Sequence, residues 1–505
     1  MNKKNIKLPS TSSGQAIIMC IVLIFCQSTN LSAQNEKQIS PKDLLKDFNN
    51  LEELFEAHPD PYTHISEKDF KTKFENVKST LDHPHSRLEF YKKVAAIIAL
   101  LKDGHSSVRF PENWFRTLRK KRGAFPYEVY LNNEDELFAI KNLNNGVMPI
   151  PSKILTINGI SIDSFFKKID PYISYEMKNF RNTIIDGDFE MYLYLAFGYT
   201  DATILTYFTS DTSTVEIKNM PYKEWKKFQK DNREEKEIKI SKGEPYAYKK
   251  IDEGVGLISI YAFFAKDLTN YNLFLSKTFK NIKKDNIHSL IIDIRGNFGG
   301  WPKIASRLFH YISNSYFKTM GKSSMKISYA YRNNIFDRMP FLRNNNIFIP
   351  QRSHYIDIEA VTRDRIGSYV NEDVFFNEEP VTENFEFKGD CYLLTNRDSY
   401  SAASSFASTF QCYQMGIIIG EETGGTKIFR ANAFYENLNK SGLRVSISTT
   451  KLFTTCYYQE FEGVQPTIKF TPDIFGITSD LDTQLLFAQR VIKNIQKKKA
   501  TEVSK

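Results

Sequence analysis

The stretch Asn396-Arg397-Asp398-Ser399-Tyr400-Ser401-Ala402-Ala403 holds the side chain best placed for chemistry. Upstream, Cys391-Tyr392-Leu393-Leu394-Thr395 is an apolar run that predicts a buried strand. Downstream, Ser401 to Gln411 is a small-residue helix of Ala, Ser, Thr and Phe. A strand that stops at a polar turn and restarts as a helix sets Ser401 where free backbone N–H groups face one point. A hydroxyl held there can attack a carbonyl while those amides receive the negative charge that develops. The plainer role for Ser401 is to cap the helix, as serine often does.

Two further stretches bear on that choice. His105 follows Leu101-Lys102-Asp103-Gly104, just past a helix that opens with the capping box Ser86-Arg87-Leu88-Glu89 and runs through Val94, Ile97, Ile98 and Leu101. Gly104 is expected to end that helix as a left-handed cap, leaving His105 on a rigid support. An imidazole there has the near-neutral pKa that general acid–base work needs. His58, His64, His83 and His85 lie in polar, proline-punctuated turns and are assigned no chemistry. The second stretch, Arg295-Gly296-Asn297-Phe298-Gly299-Gly300, follows the apolar run Leu290–Ile294 and precedes a helix whose start is fixed by Pro302. It lacks the Gly-Lys-Ser/Thr of a phosphate loop and the spacing of a dinucleotide fingerprint. A backbone N–H offered to an oxyanion is the reading it supports, with the Ser401 turn supplying the other half.

The elements that must position these residues fall into three regions. Residues from about 41 to 103 read as three helices, with Phe70, Phe74, Val77 and Leu81 at helical spacing after the N-cap Ser66. From about 120 the pattern turns strand-like at Tyr127–Leu131 and Leu137–Ile140. Ser152 to Ile162 then carries Asn158-Gly159 between apolar runs, a hairpin signal. Residues 222–243, rich in Lys and Glu, read as a solvated helix or linker. From about 245, the strand Val255–Ile260, a helix over 266–284 and the strand Leu290–Ile294 predict a parallel pair and an α/β domain. Residues 315–388, with Tyr329, Tyr331, Phe336, Phe341 and Phe348, read as an insertion over the cleft; the same aromatic surface suits a contact between copies in a homo-oligomer.

Composition narrows the function classes. A chain of 505 residues needs two or three cores, and 41% hydrophobic with 25% charged residues is a globular composition. Lys3, Lys4 and Lys7, the apolar run Ala16–Cys26 and Leu31-Ser32-Ala33 have the layout of a secretory signal peptide over residues 1–33. The run is too short to span a bilayer. Phe25 is bulky where a lipoprotein signal at Cys26 wants a small residue, so soluble export to the periplasm or beyond, without a transmembrane segment, is expected. Loss of the three leader lysines takes the net charge from +9 to +6. With only short basic runs at Arg119–Arg122 and Lys497–Lys499, nucleic-acid binding has little support. The mature chain keeps Cys391, Cys412 and Cys456, an odd count that argues against a disulfide scaffold; Cys391 and Cys412 are expected in core packing. No CxxC pair or HExxH motif suggests a metal.

Leu290 to Gly300 resembles the "L-I-I-D-x-R-x-N-x-G-G" signature of the C-terminal-processing and tricorn-type serine peptidases. Leu393 to Ser404, followed by Gly420-Glu421-Glu422-Thr423-Gly424-Gly425, resembles the family's nucleophile helix and "G-E-x-T-x-G" turn. Leu101 to His105 is similar to the "L-x-D-G-H" element of the tricorn-like branch. The resemblance implies a ClpP/crotonase-like α/β core over 244–500, preceded by a helical domain at 34–118 and a small β domain at 119–243. The piece Ile154 to Gly159 resembles the "I-L-x-I-N-G" hairpin of PDZ-like domains, which take a peptide as an added strand; a plain small β domain fits as well.

The resemblance implies roles too. Ser401 is the nucleophile, His105 the base, and Glu460, lying before Gly463-Val464-Gln465-Pro466, the group that orients the imidazole, with Glu462 as the alternative. Thr467 stands where that branch has aspartate. The amides of Gly299 (or Gly300) and Ala402 form the oxyanion hole. No cofactor is implied, and the substrate is a peptide or protein. One rival is a Ser–Lys dyad using Lys427, although the family's lysine frame falls on Thr426 and a one-residue slip on a strand reverses the side chain. The other is a non-catalytic binder of hydrophobic ligands or peptides, as in retinoid-binding modules that resemble this core.

Overall fold

Four helices, not three, fill residues 41–98: Pro41–Phe48, Asn50–Glu56, Glu67–Ser79 and Arg87–Ile98. The extra one arises because the first helical stretch breaks at Asn49. This is a computed structural model, and it describes residues 37–503 apart from 112, 144–145, 233–234, 314–316, 319, 344–357, 374–385 and 457–459. The expected leader and Phe348 lie outside the described residues. Ser66 caps as expected, accepting from the N–H of Asp69, and the Ser86–Glu89 box closes in both directions. Phe55 stacks on Phe70 at 4.0 Å, and Phe48 meets Phe74 at 4.7 Å, so the amphipathic faces bury against one another.

The stop before His105 differs from expectation. The last turn is a 3-10 segment, Ala99–Leu101, and Lys102 at φ 47° is the left-handed residue. Gly104 is glycine for another reason. A Cβ there would lie 2.5 Å from the Tyr400 hydroxyl and 2.8 Å from the Phe180 ring.

The middle region forms an antiparallel sheet in the order Tyr127–Leu131, Leu137–Asn142, Ser152–Ile157, Ala202–Phe208, Thr212–Lys218. Asn158 and Gly159, at φ 48° and 80°, turn the chain into the short strand Ile160–Ser161. Ser161 then caps a helix, Ile162–Ile169, which ends the hairpin early. The helices Lys178–Gly187 and Phe189–Phe197 complete the region.

The C-terminal core is a six-stranded sheet in the order Ile468–Lys469, Ile417–Gly420, Asp390–Thr395, Ser289–Asp293, Val255–Ile260, Tyr246–Asp252. All neighbours are parallel except the last pair. The strands read as unbroken apolar runs because both faces are covered. Leu290, Ile292 and Leu393 pack with Phe309 and Phe406 on one side, while Ile291, Tyr392 and Leu394 pack with Ala488 and Ile492 on the other. Helix Leu268–Lys284 crosses between the parallel strands as the strand–helix–strand pattern requires.

The described part of 315–388 is woven into the fold. Strand Lys322–Lys326 pairs with Thr450–Phe453 and with Tyr369–Asp373, and Tyr331 is buried beside Phe434. Tyr329 and Phe341 remain exposed. The cysteine expectation is overturned: Cys412 and Cys456 form a disulfide, leaving Cys391 buried and free. The two lie 44 residues apart in sequence, and only the meeting of the helix Ala402–Cys412 with the turn after Thr450–Phe453 brings them together. Among the described residues no helix is long and apolar enough to cross a membrane.

Candidate active site

Two adjacent parallel strands, Ser289–Asp293 and Asp390–Thr395, end side by side, and their C-terminal turns form the floor of the site. Asn297, fully buried, ties them together. Its side chain donates to Ile260 O at 2.9 Å and accepts from the Gly299 N–H at 2.8 Å, and its carbonyl accepts from the Tyr400 N–H at 3.0 Å. Asn396 Oδ1 accepts from Gly296 N–H at 2.9 Å, and Ser399 Oγ donates to Ile294 O at 3.0 Å. Gly299, at φ 100°, is required here, because a Cβ would lie 2.8 Å from Ser401 Cβ and from Ala402 N.

Ser401 sits at the strand-to-helix corner with φ 56° and ψ −120°, a backbone conformation costly for a residue with a side chain. Its hydroxyl makes no capping bond to the helix Ala402–Cys412. Instead Oγ lies 3.0 Å from His105 Nε2, across 296 residues of sequence. His105 is held from behind. Its N–H donates to Asp103 Oδ1 at 3.0 Å, its carbonyl accepts from Ser446 Oγ at 2.9 Å, and the strand Ser107–Arg109 that follows pairs with Leu443–Ile447.

The other imidazole nitrogen, Nδ1, lies 2.9 Å from the Tyr400 hydroxyl and 3.7 Å from Asp103 Oδ1. That hydroxyl in turn lies 3.4 and 3.5 Å from the two Glu176 oxygens, and Glu176 also accepts from the Gly104 N–H at 3.0 Å. Asp103 is fully buried; its Oδ2 accepts from Ser106 Oγ at 2.5 Å and Ser448 Oγ at 2.6 Å, with His58 Nε2 at 3.4 Å.

The charges follow from these contacts. Burial acts to raise the Asp103 pKa, but the adjacent imidazoles of His105 and His58 outweigh it and hold the group well below the ordinary carboxylate value. For His105, burial favours the neutral ring, yet the close carboxylate of Asp103, 3.7 Å from Nδ1, and the charge of Glu176 prevail and raise its pKa above 6.5. Burial, then the charge of Asp103, pushes Glu176 up to about 7. Tyr400 is raised well above its usual value by burial and the neighbouring carboxylates, so it stays a neutral phenol.

The structure does not bring Glu460 to the imidazole. Its carboxylate pairs with Arg430 at 3.0 Å and with Lys451, in a cluster that includes Asp60. The alternative, Glu462, lies 3.6 Å from Lys427 Nζ. Both follow strand Thr450–Phe453 and stay with its basic neighbours, and the place beside Nδ1 is already filled by Tyr400. Of the two amides expected to meet an oxyanion, the Gly299 N–H is already given to Asn297 Oδ1. Among the described residues no protein acceptor pairs with the N–H of Gly300 or of Ala402. Sequence reasoning missed Tyr400, Asp103, Glu176 and His58. Tyr400 and Asp103 lay within the stretches already singled out, whereas Glu176, in the segment after Ile173, carries no sequence signal.

The middle region leans on the turn that carries Ser401 through helix Lys178–Gly187. Thr183 Oγ1 donates to Asp398 at 2.7 Å, Asn179 donates to the carbonyls of Glu422 and Thr423, and Asp186 pairs with Arg397. A cavity of about 1120 Å³ opens between this region and the sheet. It reaches the site through Phe298 and Asn396–Asp398, and Ser401 and His105 are not among its lining residues.

Residues 254–470 match peptidase family S41. Among solved structures, mature CPAF aligns with a TM-score of 0.60 at 14% identity, covering 87% of this chain and 94% of that one. Mature CPAF complexed with lactacystin aligns with a TM-score of 0.59, also at 14% identity, over 87% and 95%. The photosystem II D1 C-terminal processing protease aligns with a TM-score of 0.39 at 14% identity, over 86% and 97%. No curated protein matches the sequence. The chain carries a peptidase family S41 domain over residues 254–470, and this domain makes it a serine peptidase.

Proposed function

We propose that this protein is an exported endopeptidase that cuts peptide or protein substrates with Ser401 as nucleophile and His105 as base. The observation that carries this is the 3.0 Å approach of His105 Nε2 to Ser401 Oγ. Oγ adds to the scissile carbonyl while Nε2 takes its proton, and the protonated imidazole then gives that proton to the leaving amine. The N–H groups of Ala402 and Gly300 stabilise the tetrahedral oxyanion. Water then attacks the acyl-enzyme carbonyl while Nε2 takes its proton, and the imidazole passes that proton to Ser401 Oγ as the ester bond breaks.

The basic-then-apolar N-terminus supports export, and a Cys412–Cys456 disulfide is at home in an oxidising compartment. We take the core as ClpP/crotonase-like from its parallel sheet and corner serine. Residues 119–243 are read as PDZ-like on the strength of the Asn158-Gly159 hairpin within an antiparallel sheet. Lys427 is a weaker base, because its ammonium is turned to Glu462. The test is proteolysis of an unfolded protein by His105→Ala and Lys427→Ala variants. Activity lost with His105→Ala and kept with Lys427→Ala supports the reading. The reverse pattern supports a Ser–Lys dyad, and a folded wild-type protein inert toward every substrate supports the binder.

A further inference from the structure

We propose, resting on that reading, that Tyr400 is the positioning residue for His105, receiving the Nδ1 proton in a hydrogen bond and handing its own on to Glu176. Residues 400 and 401, adjacent in sequence, thereby address both nitrogens of one ring: the phenol at Nδ1, 2.9 Å away, and the serine at Nε2, 3.0 Å away. For Nε2 to accept the serine proton, a neutral His105 must carry its hydrogen on Nδ1. Tyr400 Oη is then the acceptor, and its own O–H points to the Glu176 carboxylate.

Three features aim that hydroxyl. Phe180 stacks flat on the Tyr400 ring, the His105 imidazole stacks against the same ring with centroids 4.8 Å apart, and Gly104 leaves the space that any side chain would take from Oη. Asp103 lies too far for a bond to Nδ1, at 3.7 Å, and its oxygens are engaged by Ser106, Ser448 and the His105 N–H. It supplies charge, not orientation. When Glu176 is protonated, the Tyr400 O–H is released to donate to Nδ1. The imidazole hydrogen then moves to Nε2, the form that cannot take a proton from Ser401. The charged and titratable groups facing His105 are Asp103, Glu176 and Tyr400, with His58 acting through Asp103.

The experiment measures kcat and KM across pH 5–9 for wild type, Tyr400→Phe, Glu176→Gln and Ser401→Ala. Tyr400→Phe keeps the ring stack, and Glu176→Gln keeps an acceptor for the Gly104 N–H. Both are expected to lower kcat by about 10–100-fold with KM within about twofold. Glu176→Gln is also expected to move the acid limb to lower pH, since it removes a charge that raises the His105 pKa. Should Tyr400→Phe melt well below wild type, Glu176→Gln alone decides through that limb. Wild-type kcat and an unmoved limb in the folded variants, with Ser401→Ala inactive, would overturn this proposal and leave the peptidase reading standing. Activity retained by Ser401→Ala would overturn both.

Discussion

Phe180, on the helix Lys178–Gly187, lies face to face with Tyr400, ring centroids 3.7 Å apart and planes 2° from parallel. The contact joins the middle region to the residue that precedes Ser401. Truncating it should act on stability and chemistry together. Phe180→Ala should cost about 3 kcal/mol, the lower range for a buried phenylalanine. It should also lower kcat/KM about tenfold, because the tyrosine it steadies would no longer hold its place. Thermal melting and steady-state kinetics check the two effects, and loss of stability with unchanged kinetics would confine Phe180 to packing.

Glu460 offers a sharp contrast. Bound to Arg430 and Lys451, it should matter for stability and little for turnover. Glu460→Gln should lower stability by about 1 kcal/mol, since Arg430 keeps Asp60 as a partner. Its kcat should stay within about threefold of wild type. A fall of about a thousandfold would return Glu460 to the chemistry.

The acid limb of the pH–rate profile should lie near neutrality. His105 must be neutral to act, and its pKa is raised above 6.5; Glu176 must be ionised, and it titrates at about 7. Activity should therefore climb as pH rises through this region, the limb belonging to the interacting pair and not to one residue. The sign for stability is opposite. The raised His105 pKa contributes stability that is fully present below 6.5 and is lost as pH rises through the folded value. A limb near pH 4–5 in kcat/KM would contradict the charge assignment.

Cys412 and Cys456 close a loop of 44 residues between the helix Ala402–Cys412 and the turn after strand Thr450–Phe453. On the chain-entropy view such a loop contributes about 4 kcal/mol. Cys456→Ser should lower the melting temperature under non-reducing conditions, and reduction should bring wild type down to the same value. Equal melting for wild type and variant would show that the pair adds nothing.

The parallel core was legible because Leu290–Ile294 and Leu393–Thr395 are unbroken apolar runs that end at glycine- and serine-bearing turns. His105 was legible from its place just past a capped helix. What escaped was everything fixed by long-range approach. Glu176 sits in an unremarkable segment and gains meaning only when Gly104 and Tyr400 come against it. An odd count of cysteines does not reveal a single pair beside a buried thiol, which is what Cys412, Cys456 and Cys391 form. Gly104 sits where a cap is expected from sequence, but Lys102 takes the left-handed turn and Gly104 clears space for a hydroxyl.

The central claim is that the Ser401 hydroxyl, activated by His105, is the nucleophile. Its most direct test is to treat the full chain with a fluorophosphonate and locate the adduct by peptide mass spectrometry. The account expects a single phosphonylated residue, Ser401, with labelling lost in Ser401→Ala and slowed at least about a thousandfold in His105→Ala. An adduct on another serine, or undiminished labelling in either variant, would contradict it.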